Sequence, residues 1–149
     1  MNILAIYNKL EKYPFGKTII SLLVCFKIPY FFSIKPRILE LQEGRAVVQM
    51  KERRSVHNHL RTVHAIAMCN LCEFAMATVV TATIPKDLRF IPVGMTVEYK
   101  KKAKGKLTGI TQITKADFKP GNVEVPIDIF DEKKENVMSA VISINVKQQ

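Results

Sequence analysis

The stretch Thr62-Val63-His64-Ala65-Ile66-Ala67-Met68-Cys69-Asn70-Leu71-Cys72-Glu73-Phe74-Ala75-Met76-Ala77-Thr78-Val79-Val80-Thr81-Ala82 carries apolar side chains on every side of a helix and one charged residue, Glu73. Such a run spans about 30 Å as a helix. Thr62 reads as its N-cap and Pro85 as its stop. A helix that is apolar all round is expected to be buried all round. Its length approaches that of a membrane span. His64, Asn70 and Glu73 argue against one, because an acid at mid-helix costs about 2.5 to 3.5 kcal/mol on insertion scales. The other apolar stretch, Thr18 to Phe26, is too short and is broken by Lys27 and Pro29. A core helix is therefore expected, and no stable membrane insertion.

On the C-terminal side, four runs alternate with period two: Met95 to Lys102, Lys106 to Lys115, Asn122 to Phe130 and Val137 to Lys147. Turn residues at Ala103-Lys104-Gly105, Lys119-Pro120-Gly121 and Asp131 to Asn136 predict hairpins, hence an antiparallel meander. On the N-terminal side, Ile3, Leu4, Ile6, Tyr7 and Leu10 have helical spacing, and a second helix is expected from Lys17 to Phe26. Pro29 to Pro36 reads as extended and aromatic. Arg37 to Leu41 and Arg45 to Lys51 read as a first hairpin turning at Gln42-Glu43-Gly44, and Glu52 to Arg61 as a polar loop. The expected architecture is α+β, an antiparallel β-sheet wrapped around a long central α-helix, with N-terminal helices. The 149 residues suit one domain. Residues 1–28 form its helical segment and 29–149 its core.

Apolar residues make up 48% and charged residues 24% of the chain, which excludes a disordered composition. Cys25, Cys69 and Cys72 are odd in number and sit in apolar surroundings. No secretory signal precedes them, so a cytoplasmic protein without disulfides is expected. A zinc site would need more converging ligands than Cys69, Cys72 and the nearby histidines offer, so no metal is expected. Eleven Lys and Arg against four acids give +7 over residues 1–61, within a total of +10. Such a surface attracts phosphate of any kind. No aromatic residue interrupts the lysines of Lys100-Lys101-Lys102-Ala103-Lys104-Gly105-Lys106, so nucleic acid is not an expected partner.

Polar groups gather at the entrance to the long helix: Asn58, His59, Arg61, Thr62 and His64, then Asn70 and Glu73. The first backbone N–H groups of a helix, here those of Ala65 and Ile66, can hold a carbonyl oxygen that gains negative charge. Glu73 follows His64 by nine residues, so it lies on the far side of the same helix. One chain would not bring the two together. A symmetric dimer could place Glu73 of one copy opposite the helix entrance of the other.

These residues resemble the hot-dog fold acyl-CoA thioesterases of the phenylacetyl-CoA thioesterase type, and within that superfamily a branch grouped as a domain of unknown function. The type carries Asn, two residues, Gly, two residues, His-Gly, then an acid nine residues after the His. Asn58, His64, Ala65 and Glu73 keep that spacing, Arg61 occupies the Gly position and Ala65-Ile66 replaces Gly-Gly. The Pro29-Tyr30-Phe31 and Asn58-His59 segments also look like that branch, and the resemblance covers most of the chain.

The resemblance implies a hot-dog fold, a homodimer or a dimer of dimers, and hydrolysis of acyl-CoA thioesters, with coenzyme A as part of the substrate and no other cofactor. It implies Glu73 as general base or nucleophile, the Ala65 N–H as oxyanion donor, and Asn58 and His64 as orienting groups. Arg61, Ile66, Asn70, Lys100 and Lys102 are the expected substrate contacts. Two alternatives remain: a hot-dog protein that binds acyl groups without turnover, and a basic module for nucleic acid or a membrane surface.

Overall fold

Two periodicities build the molecule, and in the computed structural model, which describes residues 2–149, they segregate into one sheet and one long helix. Met1, at the start of the expected helical segment, lies outside the described residues. Helices α1 (Ile3–Leu10) and α2 (Gly16–Lys27) lead into strands β1 (Arg37–Gln42) and β2 (Arg45–Met50). Helix α3 (Ala65–Thr83) follows, then β3 (Leu88–Tyr99), β4 (Leu107–Gln112), β5 (Gly121–Phe130) and β6 (Asn136–Gln148). The segment Pro29–Ser33, expected to be extended, is a 3-10 helix, for which Pro29 supplies the preset φ of a first turn. A second 3-10 turn, Arg54–Val56, lies in the expected polar loop.

The six strands form one antiparallel sheet in the order β1-β2-β4-β5-β6-β3. This corrects the expected meander, because β3 and β4 do not form a hairpin. β3 pairs along its length with β6 and closes the far edge, while β4 pairs with β2. The lysine-rich segment between them is therefore a crossing, anchored at two points. Ala103 is buried and its carbonyl accepts the Val63 N–H at 2.9 Å, while the Glu52 carboxylate accepts the Gly105 N–H. β3 also begins at Leu88, well before the expected Met95. Pro92 and Gly94 hide the early half of the strand in the sequence, and an edge position with a bulge between Pro92 and Gly94 accommodates both.

Helix α3 packs on the inner face of the sheet, where Leu71, Phe74, Ala75, Val79 and Val80 meet Val48, Leu107, Ile127, Ile129 and Ile142 in the core. Each large side chain buried there contributes about 1.5 to 3 kcal/mol. Gly109 on β4 lets the helix approach, since a Cβ there would meet Val48 at 3.1 Å and Ile129 at 3.2 Å, with Leu71 at 3.7 Å. Helix α3 starts two residues later than expected, with His64 rather than Thr62 as its N-cap, and ends before Pro85. It is long and apolar enough to cross a membrane, yet more than half of it is buried within the protein.

One expectation fails on this helix. It is not buried all round, because Ile66, Glu73, Ala77 and Thr81 form a stripe that the chain leaves partly or fully open. These residues recur at helical spacing on one side of the helix, where the edge strand β3 and the 3-10 helix after α2 lie beside them.

Candidate active site

The open stripe of α3, the inner face of β3 and the 3-10 helix after α2 enclose a cleft of about 480 Å³. Ile66, Cys69, Asn70, Glu73 and Ala77 line it from the helix, Phe90, Pro92 and Met95 from β3, and Tyr30 and Phe31 from the third side. The bulge in β3 sets this lining. Phe90 and Pro92 precede it and Met95 follows it, and the shifted register brings both halves to the same face. Glu73 is half-buried, and among the described residues no cation or hydrogen-bond donor reaches its carboxylate. Burial raises its pKa above the ordinary glutamate value.

The helix entrance is built by Asn58. Its side-chain oxygen accepts the N–H groups of Leu60 at 2.9 Å and Thr62 at 3.1 Å, and its amide donates to the Thr62 hydroxyl at 2.9 Å. Asn58 thus closes a turn whose tightest residue is Arg61, at φ 55°. Arg61 does adopt the left-handed backbone region that the matching Gly would reach without strain. Its side chain is exposed and does not line the cleft at Glu73.

His64 Nδ1 accepts the Ile66 N–H at 3.1 Å, so one of the two expected oxyanion donors is already capped by the side chain. The Ala65 N–H has no protein acceptor among the described residues.

Apart from Arg61, the expected site residues fall into three neighbouring cavities. Glu73, Ile66 and Asn70 share the cleft already described. His64 lines a smaller cavity of about 180 Å³, which Tyr30, Ile66 and Asn70 join to the first. Asn58 and Ala65 line a third, of about 350 Å³, together with Tyr99, Lys100 and Lys102. One chain therefore does not bring Glu73 to the Ala65 N–H. Asn70 is buried and donates to the Ser33 hydroxyl at 2.9 Å, which ties the helix to the 3-10 turn beside the cleft. Lys100 donates to Ser139 at 2.7 Å, whereas Lys102 is exposed.

Tyr99 was not singled out by the sequence. Its hydroxyl lies 3.3 Å from Cys69 Sγ, and this contact, with burial, pushes its pKa up to about 12. The bulge that aims Tyr99 inward has no sequence signal beyond Pro92 and Gly94. Cys72, by contrast, is the core residue expected, and burial pushes its thiol pKa up. His57 pairs with Glu52 at 2.7 Å and so braces the loop before α3.

Residues 16–146 match the family described as Domain of unknown function (DUF4442). The chain belongs to that family. It is similar to a structural-genomics crystal structure at 35% identity and TM-score 0.87, over 99% of both chains. It is also similar to a Pseudomonas aeruginosa protein of unknown function, named a probable thioesterase, at 18% identity and TM-score 0.78, over 92% of this chain and 97% of that one. A third similar structure is a hypothetical thioesterase from Streptococcus pneumoniae TIGR4 with coenzyme A, at 22% identity and TM-score 0.67, over 76% of this chain and 90% of that one. No curated protein matches. Sheet order, central helix and these neighbours together make this DUF4442 chain a hot-dog fold.

Proposed function

We propose that the protein is a hot-dog thioesterase that hydrolyses acyl-CoA thioesters in a site shared between two copies of the chain. The observation that carries this reading is Glu73, a carboxylate with no partner among the described residues, in an apolar cleft. An unpaired acid in such a place lowers stability and calls for a chemical reason. Ionised Glu73 takes a proton from a water molecule whose oxygen attacks the thioester carbonyl carbon. The carbonyl oxygen becomes an oxyanion held by an Ala65 N–H, then the C–S bond breaks and the thiolate leaves with the proton returned by Glu73. The fold neighbours named as thioesterases, one of them with coenzyme A, support the reaction class and the substrate class.

Two features support a second copy. β3 is an edge strand with Ile91, Val93 and Met95 exposed, the kind of edge that proteins cover by pairing. The α3 stripe is open on the same side. Pairing two β3 edges about a two-fold would set Glu73 of one copy near the Ala65 and Asn58 cavity of the other, with Lys100 and Lys102 beside it for the phosphates of coenzyme A.

The capped Ile66 N–H and the Arg61 turn favour one alternative, binding of an acyl-CoA without turnover. The experiment that separates them is release of free thiol from acyl-CoAs of several chain lengths, by the wild type and by Glu73→Gln. Hydrolysis lost in the variant supports the thioesterase, whereas tight binding with no turnover by either protein supports the alternative.

A further inference from the structure

Helix α2 carries a face that the catalytic reading does not use. At 100° per residue, Phe15, Ile19, Leu22, Leu23 and Phe26 fall within an arc of about 100°. Phe15 is 77% and Phe26 72% exposed, and Ile19, Leu22 and Leu23 are each exposed by more than two-fifths. The opposite side of the same helix, Ile20, Val24 and Cys25, is buried. An apolar stripe this continuous marks an interaction surface.

The stripe leads into a cavity of about 470 Å³, and the two are joined by Phe26, which packs edge-on against Phe32 at 5.2 Å between centroids. Leu22, Cys25 and Phe32 supply its apolar wall. Lys35, Arg37, Lys51 and Arg53 supply four cationic groups, no acid lines it, and none of the four makes an ion pair among the described residues. Around the stripe, residues 2–37 hold six basic side chains against the single acid Glu11.

We infer that this face docks on an anionic phospholipid bilayer, with the α2 stripe in the interfacial layer and the cationic cavity taking a lipid phosphate. An apolar face with basic flanks is the pattern of a helix that lies in a membrane interface, its lysines reaching the headgroups. A second copy is the wrong occupant, because a two-fold contact would face two strongly basic surfaces against each other. Beyond Phe26 the chain runs through Ile28 and Tyr30, which line the Glu73 cleft, so docking sets that cleft beside the lipid.

The test is co-sedimentation of the full chain with vesicles of phosphatidylglycerol and phosphatidylcholine, or of phosphatidylcholine alone. The variants Leu22→Ser/Phe26→Ser and Arg37→Glu/Lys51→Glu are compared with the wild type, each checked for an unchanged melting midpoint. The expected result is binding to the anionic vesicles only, weakened at least tenfold by either variant and by 0.5 M salt, as expected for a screened contact. Equal binding to neutral vesicles overturns the inference, as do variants that bind like wild type. Change of oligomer mass by the serine variant without change in vesicle binding, or binding of dispersed decyl phosphate with none to vesicles, also overturns it. Hydrolysis of a short soluble acyl-CoA by the same variants is a separate readout, so failure here leaves the proposed function standing.

Discussion

Glu73 is held in an environment that opposes its charge, and that single fact makes two predictions of opposite sign. Because its folded pKa is raised, the fold binds more protons than the unfolded chain in the window between the two values. The contribution of Glu73 to stability is fully present below its unfolded pKa and is lost as pH rises through the folded one. Glu73→Gln should therefore raise the melting temperature at pH 7 and leave it nearly unchanged at pH 4, which thermal unfolding at both pH values checks. The same substitution should lower kcat for thioester hydrolysis by about 10²- to 10⁴-fold, the usual worth of a general base. Arg61 gives a third prediction. Its left-handed backbone costs about 1 to 2 kcal/mol relative to Gly, part of which Gly returns through chain entropy. Arg61→Gly should stabilise the protein by up to about 1 kcal/mol in urea unfolding, and a loss of stability would show that the Arg61 side chain makes a contact that compensates the strain. The spacing from Asn58 to Glu73 could be read in the sequence because it is local. The partnership of His64 with the Ile66 N–H could not, since the choice of which residue caps a helix turns on one backbone angle.

Among the elements, α1, α2, α3 and the first hairpin were legible within a few residues, because apolar period, Pro85 and the Gly44 turn all act over short range. β3 was not, and its pairing with β6 rather than β4 rests on contacts that three antiparallel neighbours settle together. The extended reading of Pro29–Ser33 failed because a Pro-started aromatic run suits a 3-10 turn equally well. Close packing of α3 on β4 depends on Gly109. Gly109→Val should destabilise the protein by about 1 to 3 kcal/mol, the cost of overpacking a filled core, as measured by denaturant unfolding. If Gly109→Val leaves stability unchanged, α3 does not sit where the structure places it.

For the whole molecule, the exposed β3 edge and the open α3 stripe both border the Glu73 cleft, and in the proposed dimer a second chain covers them. Val93→Lys, at an exposed edge position, should reduce the molecular mass in light scattering to that of one chain and abolish hydrolysis with it. The site-sharing claim has a more direct test. Ala65→Pro removes the N–H of the first helical residue, where Pro is tolerated, and His64 at ψ 139° already has the conformation a following Pro requires. Each of Ala65→Pro and Glu73→Gln should be nearly inactive alone. When the two are unfolded together, refolded at equal concentration and assayed, half of the dimers are mixed and carry one intact site, so recovery of about a quarter of wild-type activity is predicted. No recovery, with mixed dimers present by mass, would contradict a site built from Glu73 of one copy and the helix entrance of the other.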